Sequence, residues 1–207
     1  MTSPRDLFDL SGFAHRALFD EVEHVWQALD RLPDYLAASQ DRQVLGEIMP
    51  GAIIQGDVHI GRGTVVEPCA FIIGPAIIGE NCSIRHGAYL RGNALIGDEC
   101  VVGHCTEVKS SILLPGAKAP HFNYVGDSIL GRGVNLGAGT ICANLRLDWC
   151  EVVVRVGGQS FSTGRQKLGA ILGDLTQTMC NTVLNPGRLL PKGAFVRATA
   201  SPEGRQA

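Results

Sequence analysis

Residues 52–114 read AIIQGDVHIGRGTVVEPCAFIIGPAIIGENCSIRHGAYLRGNALIGDECVVGHCTEVKSSILL. Every sixth residue from Ile54 is aliphatic: Ile54, Ile60, Val66, Ile72, Ile78, Ile84, Leu90, Ile96, Val102, Val108 and Leu114. With about a quarter of residues being Ile, Val or Leu, such a run arises by chance about once in millions. The position two before each is mostly small, as at Ala52, Thr64, Ala70, Ala76, Cys82, Ala88, Ala94 and Cys100. Glycine often follows the aliphatic residue, at 61, 79, 97 and 103. A period of six fits no helix and exceeds the alternation of an ordinary strand. It describes a parallel β-helix of hexapeptides, each a short strand and a corner with the aliphatic side chain pointing inward. Stacked coils repeat at ~4.8 Å, so equivalent side chains form ladders. If three hexads close one coil, ladder neighbours are 18 residues apart, though the spacing does not itself fix the number of sides.

The period slips after Leu114 and resumes at Leu130 and Leu136. It disappears from 144 to 167, where Val152-Val-Val-Arg-Val-Gly-Gly-Gln-Ser-Phe161 reads as a hairpin around Gly157-Gly158. It returns at Leu172, Thr178, Leu184, Leu190 and Val196. Ahead of the repeats, Ser11 is placed to cap a helix with an apolar stripe of Leu18, Val22, Val25, Trp26 and Leu29. Pro33 starts a second short helix through Leu36. The expected organisation is an N-terminal helical segment, 1–45, covering an open end or flank of the solenoid, and a β-helix over 46–200. Loop insertions at 115–123 and 144–167 are expected outside the coil, and 201–207 reads as a frayed tail.

Composition narrows the function classes. Eighteen Lys+Arg against 20 Asp+Glu give a formal net charge of -2, so no global field draws the chain to nucleic acid or anionic lipid. No apolar run approaches the ~18 residues of a membrane-spanning helix. The start, MTSPRDLFDL, lacks the cationic and apolar regions of a signal peptide. Seven cysteines, with no Cys-x-x-Cys, fit a cytoplasmic protein with reduced thiols better than a disulfide framework.

Polar groups concentrate at the slip: Lys109, Lys118, His121, Asn123, Tyr124, Asp127 and Asn135. Arg91 and Lys109, 18 apart, stack one above the other. Two stacked cations repel unless an anion or a carboxylate separates them, so they form either a solvated basic face or a phosphate clamp. An imidazole titrating near pH 6.5 gives His121 the means to accept a proton from an amine or hydroxyl nucleophile. His86 and His104 also stack and could begin a metal site, but neither has a second histidine a few residues away, and no metal is expected. Cys82 and Cys100 occupy the small-residue site and read as packing.

The stretch Lys109-Ser-Ser-Ile-Leu-Leu-Pro-Gly-Ala-Lys-Ala-Pro-His121-Phe-Asn-Tyr124-Val-Gly-Asp127, followed by Val134-Asn135-Leu-Gly-Ala138-Gly-Thr140, resembles a known family. It is similar to the acetyltransferase domain of the bacterial bifunctional N-acetylglucosamine-1-phosphate uridyltransferases. It resembles still more closely the archaeal sugar-1-phosphate nucleotidylyltransferase/aminosugar acetyltransferases, with Asn144-Leu-Arg-Leu-Asp148, Gly164-Arg-Gln-Lys-Leu-Gly-Ala170 and Cys180-Asn-Thr-Val-Leu-Asn-Pro-Gly187 as further matches. The resemblance covers about 54–198 and implies a three-sided, left-handed β-helix. It implies that His121 deprotonates an aminosugar amine, which attacks the thioester of acetyl-CoA. Arg91, Lys109, Tyr124 and Asn135 would hold the sugar phosphate, and Asn144 would lie near both substrates. The backbone at Ala138 would face the thioester oxygen, as a donor where negative charge develops.

The same resemblance places Gly173, Asp174 and Lys192, with Ala138, toward the cofactor, leaves Arg188 and Arg197 available to it, and implies a homotrimer. The family carries a lysine a few residues beyond the position of Asn144, where this chain has Trp149-Cys150; Arg155 or Arg165 are the replacements in reach. Residues 1–45 contain no Gly-rich nucleotide loop, so nucleotidyl transfer is not expected. The reading is therefore an acyl-CoA-dependent N-acyltransferase for an aminosugar phosphate or nucleotide-linked aminosugar. The alternatives are a non-catalytic binding scaffold of the same fold and a metal-dependent hydratase.

Overall fold

The computed structural model describes residues 2–39 and 42–197. The tail expected at 201–207 lies outside the described residues. The repeat builds a left-handed parallel β-helix with three faces. One face stacks Val58–Ile60, Ala76–Ile78, Ala94–Ile96, Ser111–Leu113, Ile129–Leu130, Ala170–Leu172 and Arg188–Leu190. A second stacks Ile53–Gln55, Phe71–Ile73, Tyr89–Arg91, Glu107–Lys109, Tyr124–Gly126, Ile141–Cys142 and Val183–Leu184. The third holds Glu47–Ile48, Val65–Val66, Ser83–Ile84, Val101–His104 and Lys118–His121, and bridges through Asn135 to Gln177–Thr178 and Phe195–Val196. The inward residues, from Ile60 to Leu190, form one continuous buried core. Cys82 and Cys100 are part of it, their thiols directed at the carbonyls of Gly97 (3.1 Å) and Leu114 (3.2 Å).

The period slips earlier than the sequence suggests. Tyr89 pairs with Glu107, 18 residues on, but Ala94 pairs with Ser111, only 17 on. One residue is therefore missing from the corner at Ser110, whose φ is +46°. Beyond it Leu113 points into the core, while Ile112 and Leu114 join a second cluster outside the coil. Three consecutive aliphatic residues hid the shift, because this face is buried on both sides. Residues 115–123, expected as an insertion, instead close the shortened coil: Lys118–His121 pairs in parallel with Val101–His104. The segment 144–167 does leave the coil. It carries the antiparallel hairpin Val153–Val156/Gln159–Ser162, with φ +59° and +77° at Gly157 and Gly158.

The N-terminal segment covers a flank. The outward residues of the first face (Ile77, Leu95, Ile112, Ile129, Ile171, Leu189) form a single apolar cluster with Leu7, Phe8, Phe19, Trp26, Leu29 and Leu36. Ser11 caps no helix. The short helix α1, Pro4–Leu7, is followed by turns and a 3-10 turn at Arg16–Phe19, and Glu21 adopts φ +57°, which a continuous helix excludes. The helix α2, Gln27–Ala38, runs through Pro33 rather than starting there. Proline removes one helical hydrogen bond; burial of Leu29, Leu32 and Leu36 on the aliphatic face offsets that loss. No helix among the described residues is long and apolar enough to cross a membrane.

Candidate functional site

The second face carries the candidate chemistry on its two borders. At the border with the third face the imidazoles stack. His86 and His104 have ring centroids 5.7 Å apart at 17°, and His104 pairs in register with His121 one coil further on. Phe122 (φ +52°) turns its edge onto His104 at 4.9 Å. The corner is fixed by buried Asn123, whose amide group donates to the Gly137 carbonyl (2.8 Å) and whose carbonyl oxygen accepts from the His121 N–H (3.1 Å). The His121 side chain itself is exposed. The same column continues to Ala138 and then Cys180: the Gly139 N–H donates to the His121 carbonyl (3.0 Å), and the Asn181 N–H to the Ala138 carbonyl (2.7 Å).

At the opposite border the stacked cations are separated by carboxylates. The Arg91 guanidinium donates to Glu107 (2.9 Å) and the Lys109 ammonium to Asp127 (2.8 Å). Asp127 is almost wholly buried; it also accepts from the Asn144 side-chain amide (2.5 Å) and lies 3.8 Å from Arg165. Arg165 in turn contacts Asp30 on α2 and donates to the Lys167 carbonyl (3.1 Å). Between the borders, Tyr124 lies across Gly126. A Cβ there would meet the Tyr124 hydroxyl at 2.6 Å and the Asn144 amide nitrogen at 2.9 Å, which explains the glycine. Burial raises the Tyr124 phenol above its ordinary range, and the negative charges of Glu107 and Asp127 push it the same way.

His121 ends a strand of the third face at the corner, while Tyr124 and Lys109 lie on the second face, whose three-residue strands span roughly 10 Å. The structure brings Lys109, Tyr124 and Asn144 together through Asp127, with Arg91 one coil away. Asn135 stands apart from them, half-buried on the third face between Lys118 and Gln177. The residues expected at the cofactor are placed differently. The Asp174 carboxylate accepts from the backbone amides of Asp9 (2.6 Å) and Arg132 (2.8 Å), and the Asp174 N–H donates to the Leu7 carbonyl (2.9 Å). Lys192 reaches it at 3.8 Å, and Gly173 lets the Lys192 backbone approach, a Cβ there falling 2.6 Å from its nitrogen. Asp174 thus clasps the N-terminal segment, which accounts for a carboxylate at this position. A basic cleft of about 360 Å³ opens instead beside the hairpin, with Arg155, Arg188 and Arg197 in its lining. No group of three or more His, Cys, Asp or Glu placed to hold a metal ion occurs among the described residues.

The sequence gives Asp127 no role, nothing in it singles out Asp30, and Cys180 enters only as part of a family match. Asp127 lies 18 residues beyond Lys109, but the coil there is 17 residues long and Lys109 pairs with Gly126, so the spacing alone does not place it. Asp30 carries no signal, because no spacing relates α2 to the coil. Cys180 follows Ala138 by 42 residues, a spacing that only the folded hairpin explains.

Comparison with known proteins places the chain. The model of the GMPPB C-terminal domain family matches residues 72–203. A bifunctional GlmU protein of Methanococcus maripaludis is 39% identical over 189 residues, covering 91% of this chain and 46% of the relative. A bifunctional sugar-1-phosphate nucleotidylyltransferase/acetyltransferase of Sulfurisphaera tokodaii is 48% identical over 91 residues, 44% of this chain and 22% of the relative. The chain thus spans about half, or less, of the length of the curated relatives it matches. Among solved structures, an LpxA UDP-N-acetylglucosamine acyltransferase from Bacteroides fragilis aligns over 67% of this chain and 54% of its own, with a TM-score of 0.49 and 14% identity.

Proposed function

From the premise that the chain belongs to the GMPPB C-terminal domain family, we propose that it is an acyl-CoA-dependent N-acyltransferase acting on an aminosugar phosphate or nucleotide-linked aminosugar. The Sulfurisphaera tokodaii relative is a bifunctional sugar-1-phosphate nucleotidylyltransferase/acetyltransferase, which supports this class. The observation that carries the reading is an exposed imidazole at one border of the second face, with the Arg91–Glu107 and Lys109–Asp127 ion pairs at the other. His121 takes the proton that the amine loses as its nitrogen bonds to the acyl carbon. The carbon–sulfur bond then breaks, and CoA leaves as the thiol, taking the proton that His121 gives back. Ala138, one coil beyond His121, offers its backbone where the thioester oxygen gains charge. Lys109, Arg91 and Tyr124 receive the acceptor phosphate, and Asn144 bridges the acceptor and acyl ends. The cleft with Arg155, Arg188 and Arg197 suits the phosphates of CoA better than the clasped Asp174 does.

A homotrimer in a cytoplasmic setting goes with this reading. The second face carries exposed Ile53, Ile141 and Val183 in one outward column with Phe71, Tyr89, Glu107 and Tyr124, so a second copy seated there would cover apolar surface on both sides of the Arg91–Glu107 pair and enclose the site. The test is acetyl-CoA consumption against a panel of aminosugar 1-phosphates. His121→Ala is expected to lower transfer by about 10²- to 10⁴-fold, the range of general-base catalysis, with unchanged thermal unfolding. Consumption that no acceptor stimulates, or that survives His121→Ala, overturns the reading. One observation favours a second reading, a non-catalytic sugar-phosphate scaffold: Trp149-Cys150 stands where the family carries a lysine. Stabilisation by aminosugar phosphate with no response to CoA would select it.

A further inference from the structure

A buried carboxylate is an unexpected neighbour for a phosphate-binding cluster, because it repels the anion that the cluster would receive. Asp127 is nevertheless at its centre, and its backbone is rigidly held. Its N–H donates to the Lys109 carbonyl (3.0 Å), its carbonyl accepts from the Gly169 N–H (2.8 Å), and its φ is +46°. One carboxylate oxygen meets both the Lys109 ammonium (2.8 Å) and the Asn144 amide (2.5 Å); the other faces Arg165 at 3.8 Å. Asp127 thus fixes the two side chains that flank Tyr124, and Arg165 offsets its charge. Arg165 does not stand alone. Asp30, on α2 and 135 residues earlier, contacts its guanidinium. Asp30, Arg165, Asp127 and Lys109 form a file of alternating charges from the N-terminal helix to the centre of the site.

We propose that Asp127 is a positioning residue for the acceptor phosphate, and that Asp30 and Arg165 hold it in place, so that the N-terminal segment sets acceptor affinity. The inference rests on the acceptor-phosphate reading of the same face. It assigns α2 a part in the site beyond covering the aliphatic flank. A free Arg165 would otherwise turn onto Asp127 and displace Lys109 from its position, and an Asp127 without Arg165 would bind Lys109 more tightly and hold it from an incoming phosphate.

Asp30 is half-exposed, so Asp30→Asn removes the anchor without opening the core. Asp34→Asn, an exposed aspartate on the same helix, is the control. In the full chain, Asp30→Asn and Arg165→Met are expected to raise the acceptor KM about 5- to 20-fold and leave the KM for acetyl-CoA unchanged, and Asp30→Asn is expected to shift thermal unfolding no more than Asp34→Asn does. Asp30→Glu is expected to restore the acceptor KM. Inorganic phosphate titrated by calorimetry reads the same cluster without turnover, and Asp30→Asn is expected to weaken it by a similar factor. Equal phosphate affinity in Asp30→Asn and the unaltered chain overturns the inference even where transfer is confirmed. A parallel rise in both KM values reduces the file to a structural brace and overturns it too. Absence of transfer with weakened phosphate binding in Asp30→Asn leaves this inference standing and removes the acyltransferase reading instead.

Discussion

Gly103 stacks directly on Pro120, between the pairs Val102↔Ala119 and His104↔His121. A Cβ at Gly103 would fall 1.7 Å from the Pro120 carbonyl oxygen, so any side chain must push two coils apart. Pro120 has no N–H for the ladder, and the close approach of the glycine backbone closes that gap. Gly103→Ala is therefore expected to cost about 3 kcal/mol or more, beyond ordinary overpacking, because the obstacle is backbone rather than a movable side chain. Urea unfolding would show it as a lower midpoint at constant slope; a midpoint within experimental error of the unaltered chain contradicts the stacking. The hexad pattern put glycine at 103 but not the reason for it, since glycine follows the aliphatic residue at several corners. The pairing of Arg91 and Lys109 was likewise legible from an 18-residue spacing, whereas their carboxylate partners were not. Glu107 pairs in register with Tyr89 and Gly126 with Lys109, so neither carboxylate stands in ladder register with its cation.

At the scale of elements, the solenoid strands were readable because each inward residue repeats its coil neighbour's environment. The N-terminal segment was not, because its structure is dictated by the aliphatic outer face that it covers. Leu18, Val25, Trp26 and Leu29 are all buried, as the stripe requires, yet turns rather than one helix deliver them. This segment also holds a pH-sensitive group. The His15 ring donates to or accepts from the Tyr35 hydroxyl (2.9 Å) and lies edge-on to Phe13 and Tyr35, beside a cavity shared with His59, Glu80 and Asp98. Burial holds His15 below the ordinary imidazole range; Asp98 opposes the shift and His59 adds to it. The folded chain thus declines a proton that the unfolded chain accepts near pH 6.5, so the unfolded state binds more protons below that pH. Stability is fully present above about 6.5 and falls as the pH drops toward the lowered folded value. Thermal unfolding is expected at a lower temperature at pH 5.5 than at 7.5, with a smaller difference in His15→Gln. Parallel decreases in the two proteins would assign the effect to other groups.

At the scale of the whole molecule, the three faces are treated unequally. The first is covered by the chain's own N-terminal segment and is apolar on both sides. The third presents Lys118, Asn135 and Gln177 outward. The second remains uncovered, although Ile53, Ile141 and Val183 are 57%, 41% and 60% exposed along it and Phe71 stacks on Tyr89 at 5.7 Å. A solenoid has no second layer with which to bury such a column, so association is the available solution. The candidate site lies on that same face, between the imidazole column and the Asp127 cluster. Closure of the site and burial of the column would then be one event. Ile141 and Val183 follow Tyr124 in register, beyond the polar cluster, so changing them disturbs the surface without touching His121 or Lys109. The double change Ile141→Glu, Val183→Glu is expected to give a folded single chain by light scattering, where the unaltered protein gives three. Loss of transfer should accompany it, with the circular dichroism of the β-helix retained. An unaltered protein that is already a single chain at the concentrations where it turns over would leave the open face as the complete site, and would move the enclosure of the acceptor from a neighbouring copy to the loop carrying Trp149.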